Sequence, residues 1–280
     1  MIFSEYIVQN YLRTVITRAE KGRTTMLPAA RQRRIVEVVS DRGECSVAEL
    51  AAEMDCSKAT IRRDLRTLAD KQLIERSHGG AVPASAIGRE ETYGQKEVQH
   101  LEAKEAIATA AVEEIQPDQV VFFDSGSTTM EVITRAPTDE PFVAVTNSPL
   151  LAIEVGTEDV PVKLTGGSLR RPTRALVGPS AERFMDRMTF DLLFLGTNAI
   201  DPEAGLMTPN EEEARLKELM IENSRRTVLV ADGSKLDERS FIRFADLGDI
   251  DAFYTDRRLS AEAREAFDTA DVELIDGIDE

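Results

Sequence analysis

Two sets of residues carry the chemistry of this chain. The first is Asp124-Ser125-Gly126-Ser127-Thr128-Thr129, set between an apolar strand pattern and the start of a helical one. A glycine there lets backbone amides turn toward an anion, and the hydroxyls add donors at a positive helix end. Four more strand patterns end in similar residues, at Thr146-Asn147, at Gly166-Gly167, at Gly196-Thr197 with Asp201, and at Asp232-Gly233-Ser234-Lys235. Lys217 and Lys235 are the cations for a phosphate. Any one of these stretches alone is a turn; five treated alike point to a small-anion site. The second set lies on one helical run, Ser57 to Leu68. Its apolar residues Ile61, Leu65 and Leu68 form a stripe, and Ala59, Arg63 and Arg66 point away from it, flanked by Thr60 and Arg62. Arginine pairs two donors with a guanine edge, and small Ala and Thr let a helix enter the major groove. That face reads as DNA contact.

The elements that position the arginines are legible. A first helix runs from about Ala30 to Asp41, with Ile35, Val38 and Val39 on one face and Gly43 beyond its end. A second opens with Ser46-Val47-Ala48-Glu49, a capping box, and carries Val47, Leu50, Ala51 and Met54 at helical spacing. Asp55-Cys56 makes a tight turn, and Ser57 is placed to cap the third helix, next to Lys58. Two helices across so short a turn have the spacing of a helix-turn-helix. Leu73 to Val82 then reads as strand, glycine turn and return: a wing that offers Arg76 and His78 to phosphate or the minor groove.

Pro83 to about Gln99 is polar and reads as a linker. Beyond a helix at Leu101–Ile115, strand patterns fall at Val120–Asp124, Phe142–Thr146, Val160–Leu164, Phe190–Leu195, Thr227–Ala231, Ala252–Thr255 and Val272–Ile275. Helical patterns lie between them at Thr128–Arg135, Pro149–Val155, Pro179–Met185, Glu211–Asn223 and Ala261–Thr269. The alternation predicts an open α/β sheet, mostly parallel, with its ligand beyond the carboxyl ends of the strands.

Composition narrows the classes. The 280 residues carry 51 Asp+Glu against 34 Lys+Arg, a net of −17, and only eight of the cations are Lys. The balance is uneven: residues 26–85 have a net of +1, and residues 86–280 a net of −20. Few lysines, many acids and an arginine bias fit a halophile's protein, kept dispersed in strong salt by its surface charge. No apolar run approaches the ~18 residues of a membrane-spanning helix. Cys45 and Cys56 make no disulfide framework and fit a reducing, cytoplasmic setting; with no CxxC and only His78 and His100, no metal or other cofactor is expected. Residues 1–25 carry Ile2, Phe3, Tyr6, Ile7, Tyr11, Leu12, Val15 and Ile16 at helical spacing. They read either as an extension ahead of a natural start at Met26 or as a helix for dimer contacts.

Thr60-Ile61-Arg62-Arg63-Asp64-Leu65 followed by His78-Gly79-Gly80-Ala81 resembles the signature of the DeoR family of transcriptional regulators. The resemblance implies a winged helix-turn-helix over 26–83, a linker over 84–99, and over 100–280 an α/β sensor domain with the fold of ribose-5-phosphate isomerase. It carries over Arg62, Arg63 and Arg66 as operator contacts. The 124–129 loop, Asn147, Gly166-Gly167, Lys217 and Lys235 become the pocket for a phosphorylated sugar or glycerol phosphate. Two departures stand out: Asp70-Lys71-Gln72 lacks the usual helix-closing glycine, and Asp232-Gly233-Ser234 stands where Asp-His-Ser is usual. The implied function is a homo-oligomeric repressor of sugar (fructose or glucose) or glycerol catabolic genes. One rival is a sugar-phosphate isomerase with a DNA-binding appendage, for which Asp124, Asp201 and Glu213 are the available acids. Another is a sugar-kinase-like regulator, from Asp124-x-Gly126-x-Thr128, although residues 86–280 are short for two kinase lobes.

Strong salt removes the counterion-release advantage of phosphate contacts. Operator binding is therefore expected to persist in molar KCl and to rest on base contacts, as read by fluorescence anisotropy. Binding confined to low salt, without sequence preference, contradicts this.

Overall fold

The computed structural model describes residues 26–42, 44–71, 73–77, 79–83, 90–137, 141–155 and 160–279. The expectations for residues 1–25 and for His78 lie outside the described residues. The chain divides into two compact units between Ser85 and Ala86. Among the described residues no helix is long and apolar enough to cross a membrane.

The first unit contains α1 (Pro28–Arg42), β1 (Cys45–Ser46), α2 (Val47–Glu53), α3 (Lys58–Asp70), β2 (Ile74–Ser77) and β3 (Gly80–Pro83). Its core takes Ile35, Val38, Val39, Val47, Leu50, Met54, Ile61, Leu65 and Leu68 from the periodic set and adds Val36 and Ile74, while Ala51 is half-buried. The capping box at Ser46 forms: its hydroxyl accepts from the Glu49 amide at 3.2 Å, and the Glu49 carboxylate accepts from the Ser46 amide at 2.8 Å. Ser57 caps α3, its hydroxyl accepting from the Thr60 amide at 3.1 Å. The α3 C-cap is Lys71, with φ −84° and its amide donating to the Thr67 carbonyl at 3.1 Å; the expectation for Gln72, where a glycine is usual, lies outside the described residues. The wing is a three-stranded antiparallel sheet in the order β1-β3-β2. A Cβ on Gly80 would stand 2.1 Å from the Cys45 carbonyl oxygen, so glycine here is a condition of β1 lying against β3.

The second unit opens with α4 (Tyr93–Val98), α5 (Leu101–Ala111), β4 (Val120–Phe123), α6 (Ser127–Ile133), β5 (Val143–Thr146), α7 (Pro149–Val155) and β6 (Val162–Leu164). There follow β7 (Ser168–Leu169), β8 (Leu176–Val177), α8 (Pro179–Met185), β9 (Leu192–Leu195), β10 (Ala199–Asp201), β11 (Gly205–Thr208) and α9 (Glu211–Glu222). Last come β12 (Thr227–Val230), β13 (Ile242–Ala245), β14 (Ala252–Tyr254), α10 (Ala261–Thr269) and β15 (Glu273–Ile275). All seven expected strand positions join one sheet, in the order β15-β14-β12-β9-β4-β5-β6, with every pairing parallel. Alternate residues serve two cores: Phe122, Leu193, Leu229 and Phe253 face one side, and Val121, Phe123, Phe194 and Val228 the other. Burial on both faces is why these strands read as unbroken apolar runs.

Three features differ from the sequence expectation. Helix α4 lies inside the stretch read as linker; the Thr92 amide donates to Gln95 Oε1 at 2.7 Å, and Tyr93 and Gln95 are buried. A separate antiparallel sheet, β10-β11-β13, and a β7-β8 hairpin are added. Their strands are two to four residues long, too short for a period-2 pattern to declare itself.

Asp64 of the signature hexapeptide faces inward. It is buried and accepts from Arg31 Nε at 2.7 Å and from Gln32 Nε2 at 3.1 Å, so α3 is fastened to α1 by an ion pair. Breaking one side of a buried pair costs about 3–5 kcal/mol. Asp64→Ala is expected to lower the unfolding transition of the first unit by that amount while leaving the second unit's transition in place, as read by calorimetry. An unchanged first transition contradicts this role.

Candidate functional site

The chain runs β4, β5, β6 toward one edge of the sheet and β9, β12, β14, β15 toward the other. Adjacent connections therefore diverge between β4 and β9, and this is where open α/β sheets bind ligands. Asp124 follows β4 at that point and is buried. Its backbone amide donates to the Phe194 carbonyl at 3.0 Å. Its Oδ1 accepts from the Ser125 amide at 2.8 Å and its Oδ2 from the Gly196 amide at 3.1 Å. Lys217, from α9, closes the arrangement by donating to Asp124 Oδ2 and, at 2.8 Å, to the Gly196 carbonyl. The ammonium lies 5.5 Å from the Phe244 ring centroid. The Thr129 hydroxyl donates to the Asp124 carbonyl at 2.5 Å and shapes the loop from behind.

This frame opens onto a cleft lined by residues 125–128, Thr197, Asn198 and Glu213, and by four lysines: Lys96, Lys104, Lys217 and Lys235. Half of the chain's lysines thus face one cavity in a unit whose net charge is −20. Their environments differ. Burial pushes Lys104 down to about 8, although its ammonium donates to the Gln99 carbonyl at 2.6 Å and also to the Lys96 carbonyl. Burial and the nearby Lys235 also lower Lys96, against the pull of Glu213 and Glu90. Burial opposes the Asp232 carboxylate, but Lys235, Lys104 and the Ser234 hydroxyl hold it below the ordinary aspartate value. Ammonium groups depressed by desolvation are stabilised by an incoming anion, and a phosphate monoester supplies one.

Of the sequence-predicted residues, Asp124, Ser125, Gly126, Ser127, Thr128, Lys217 and Lys235 come together in this lining. Thr129 is fully buried behind it. Asn147, Gly166 and Gly167 are not among the cleft-lining residues. Asn147 is buried and its carbonyl accepts from the Leu176 amide at 2.7 Å. Gly166 and Gly167 turn the chain into β7; Gly167 has φ +117°, and a Cβ there would stand 2.6 Å from the Val177 carbonyl oxygen. At the other departure, a Cβ on Gly233 would stand 2.4 Å from the Arg257 Cβ, so no imidazole fits. Sequence reasoning passes over Lys96, His100 and Lys104. The scarcity of lysine is the available signal, hidden because Lys96 falls in the stretch that reads as linker.

The acids an isomerase would need are already engaged. Asp124 is tied to Lys217, Asp201 accepts from Arg239 Nε at 2.5 Å outside the cleft lining, and Glu213 is bound by Arg170 and Thr173.

On the first unit, Ser57 and Thr60 sit at the start of α3, and Lys58, Arg62, Arg63, Arg66 and Arg76 are exposed. Among the described residues none of these five cations enters an ion pair, whereas Arg31, Arg34 and Arg42 of the same unit are paired with acids. The outward cations of α3 are therefore free to meet an anionic partner.

Residues 31–86 match the family model of the DeoR-like helix-turn-helix domain, and residues 99–257 that of the DeoR C terminal sensor domain. The chain is 62% identical over 253 residues to the HTH-type transcriptional regulator GlpR of Haloferax volcanii, covering 90% of this chain and 99% of that protein. It is 33% identical over 233 residues to the glycerol-3-phosphate regulon repressor of Escherichia coli, covering 82% and 92%. Among solved structures, ribose 5-phosphate isomerase A of Methanocaldococcus jannaschii aligns over 49% of this chain and 54% of its own, at TM-score 0.37 and 15% identity. That likeness is too low to bear on function.

The Lys104 value sets a pH test. A phosphate monoester is already dianionic at pH 7, so above that pH only the protein titrates. A lysine of pKa about 8 that gains an anion has its pKa raised on binding. Affinity for a phosphate monoester is therefore expected to be full below pH 8 and to fall by up to about tenfold per unit above it, as read by titration calorimetry. Affinity that is flat or rises from pH 8 to 9.5 contradicts the assignment.

Proposed function

This chain belongs to the DeoR family of transcriptional regulators, and from that premise we propose that it represses sugar (fructose or glucose) or glycerol catabolic genes under control of a phosphorylated sugar or glycerol phosphate. The observation that carries the reading is the convergence of Lys96, Lys104, Lys217 and Lys235 on one cleft at the sheet's point of divergence. The relative named as a glycerol-3-phosphate regulon repressor supports a phosphorylated effector. We read the chain as a non-enzymatic, cytoplasmic homo-oligomer that holds double-stranded operator DNA through Ser57, Lys58, Thr60, Arg62, Arg63, Arg66, Arg76 and His78. The engagement of Asp124 and Glu213 by cations supports the non-enzymatic reading.

The effector acts only through its different affinity for the DNA-competent and DNA-incompetent states. Typical coupling of about 1–3 kcal/mol gives a roughly 5- to 150-fold change in operator affinity. The test is fluorescence anisotropy on the gene's own upstream duplex in molar KCl, with and without a panel of sugar phosphates and glycerol 3-phosphate. A change in that range caused by one compound, without turnover of it, is the expected result. Turnover of the compound, or specific DNA binding indifferent to every phosphorylated compound, overturns the reading.

Arg63→Ala is expected to remove specific operator binding and leave effector binding intact. A bidentate base contact carries about 1–3 kcal/mol of discrimination. Unchanged operator specificity in this variant contradicts the placement of α3 against bases, and equal loss of both activities marks a folding defect.

A further inference from the structure

Glu90 is the first described residue of the second unit, and the chain reaches it from the DNA-binding unit through residues 84–89. Its carboxylate is nearly buried and pairs with Arg170 Nη2. The other terminal nitrogen of the same guanidinium, Nη1, donates to Glu213 Oε1 at 3.3 Å. Glu213 also accepts from the Thr173 hydroxyl, and both Glu213 and Thr173 line the lysine cleft. Arg170 itself is held in the β7-β8 turn, where its amide donates to the Ala175 carbonyl and its carbonyl accepts from the Arg174 amide, each at 2.8 Å. The same turn takes the Tyr93 amide on the Pro172 carbonyl at 2.6 Å. One arginine therefore joins the cleft wall to the start of the sensor unit.

Resting on the effector reading above, we propose that Arg170 is a coupling clamp, which holds Glu90 to the cleft wall and lets it go when an anionic ligand occupies the cleft. Two features make the contact releasable. The second Glu90 carboxylate oxygen, Oε1, is buried without a hydrogen-bond partner, and a buried polar atom left unpaired is costly to hold. Further, two carboxylates, Glu90 and Glu213, share one guanidinium, with Lys96 as the neighbouring cation that both attract. A phosphate bound beside Lys96 takes that attraction for itself and sets its own charge against Glu213. Glu213 keeps the Thr173 hydroxyl as a second donor, whereas Glu90 has Arg170 at one oxygen and no partner at the other, so Glu90 has the weaker hold and is the acid released at the start of the sensor unit. Arg170 and Glu90 act here as positioning residues: neither reaches the operator.

The test uses the full chain and compares operator affinity with and without glycerol 3-phosphate, glucose 6-phosphate or fructose 1-phosphate. Wild type is expected to show a ratio of about fivefold or more with at least one of them. Glu90→Gln is expected to bind that compound within about threefold of wild type, yet to bring the ratio to within about twofold of one. A merely structural role would lower the thermal transition without separating the two affinities. Should Glu90→Gln not fold, Arg170→Lys, which keeps the charge and loses the fork, is read in the same way. A variant that folds and keeps the wild-type ratio overturns the clamp alone. A wild type with no ratio for any compound overturns the effector reading, and the clamp with it.

Discussion

The sensor unit depends on the buried pair between Asp124 and Lys217. Asp124 ends β4 and Lys217 lies on α9, more than ninety residues later, so the pair ties the two halves of the sheet together where their connections diverge. Each partner is also satisfied by backbone: the carboxylate by the Ser125 and Gly196 amides, the ammonium by the Gly196 carbonyl. Such extra bonds decide whether a buried pair offsets its desolvation. The pair fixes the start of the loop whose Ser125, Ser127 and Thr128 line the cleft. The first unit uses the same device, with Arg31 and Asp64 fastening the arginine-bearing helix to its neighbour.

The composition explains why the decisive contacts are close and buried. At about 1 M salt the screening length falls to ~3 Å, so scattered surface charge neither steers a ligand nor holds a domain. What survives is direct contact shielded from water. Arginine and acid supply most of the charge, and four of the eight lysines are gathered in one cleft. The acidic total therefore conceals a cationic cleft. The two units divide the labour in the same terms, with exposed unpaired arginines on α3 and desolvated lysines in the sensor.

Much of this is legible from residue order. The capping residues Ser46 and Ser57 and the stripe Ile61-Leu65-Leu68 each answer to a local rule, and local rules leave local traces. The seven parallel strands are legible because burial on both faces leaves unbroken apolar runs. What escapes depends on partners distant in sequence. The inward turn of Asp64 is set by Arg31, thirty-three residues earlier, and nothing in the hexapeptide itself says so. Helix α4 is masked by polar neighbours, and with it go Lys96 and the role of Glu90. Strand-end position groups Asn147 and Gly166-Gly167 with the 124–129 loop, yet Asn147 and Gly167 lie against β8.

With only eight lysines in the chain, the central claim is open to a direct measurement: lysine acetylation footprinting by mass spectrometry, with and without the phosphorylated compound that alters operator binding. The compound is expected to protect Lys96 and Lys235 in the cleft while Lys58, Lys71 and Lys163 react as before. A compound that changes operator affinity yet leaves the cleft lysines as reactive as in its absence would contradict the claim.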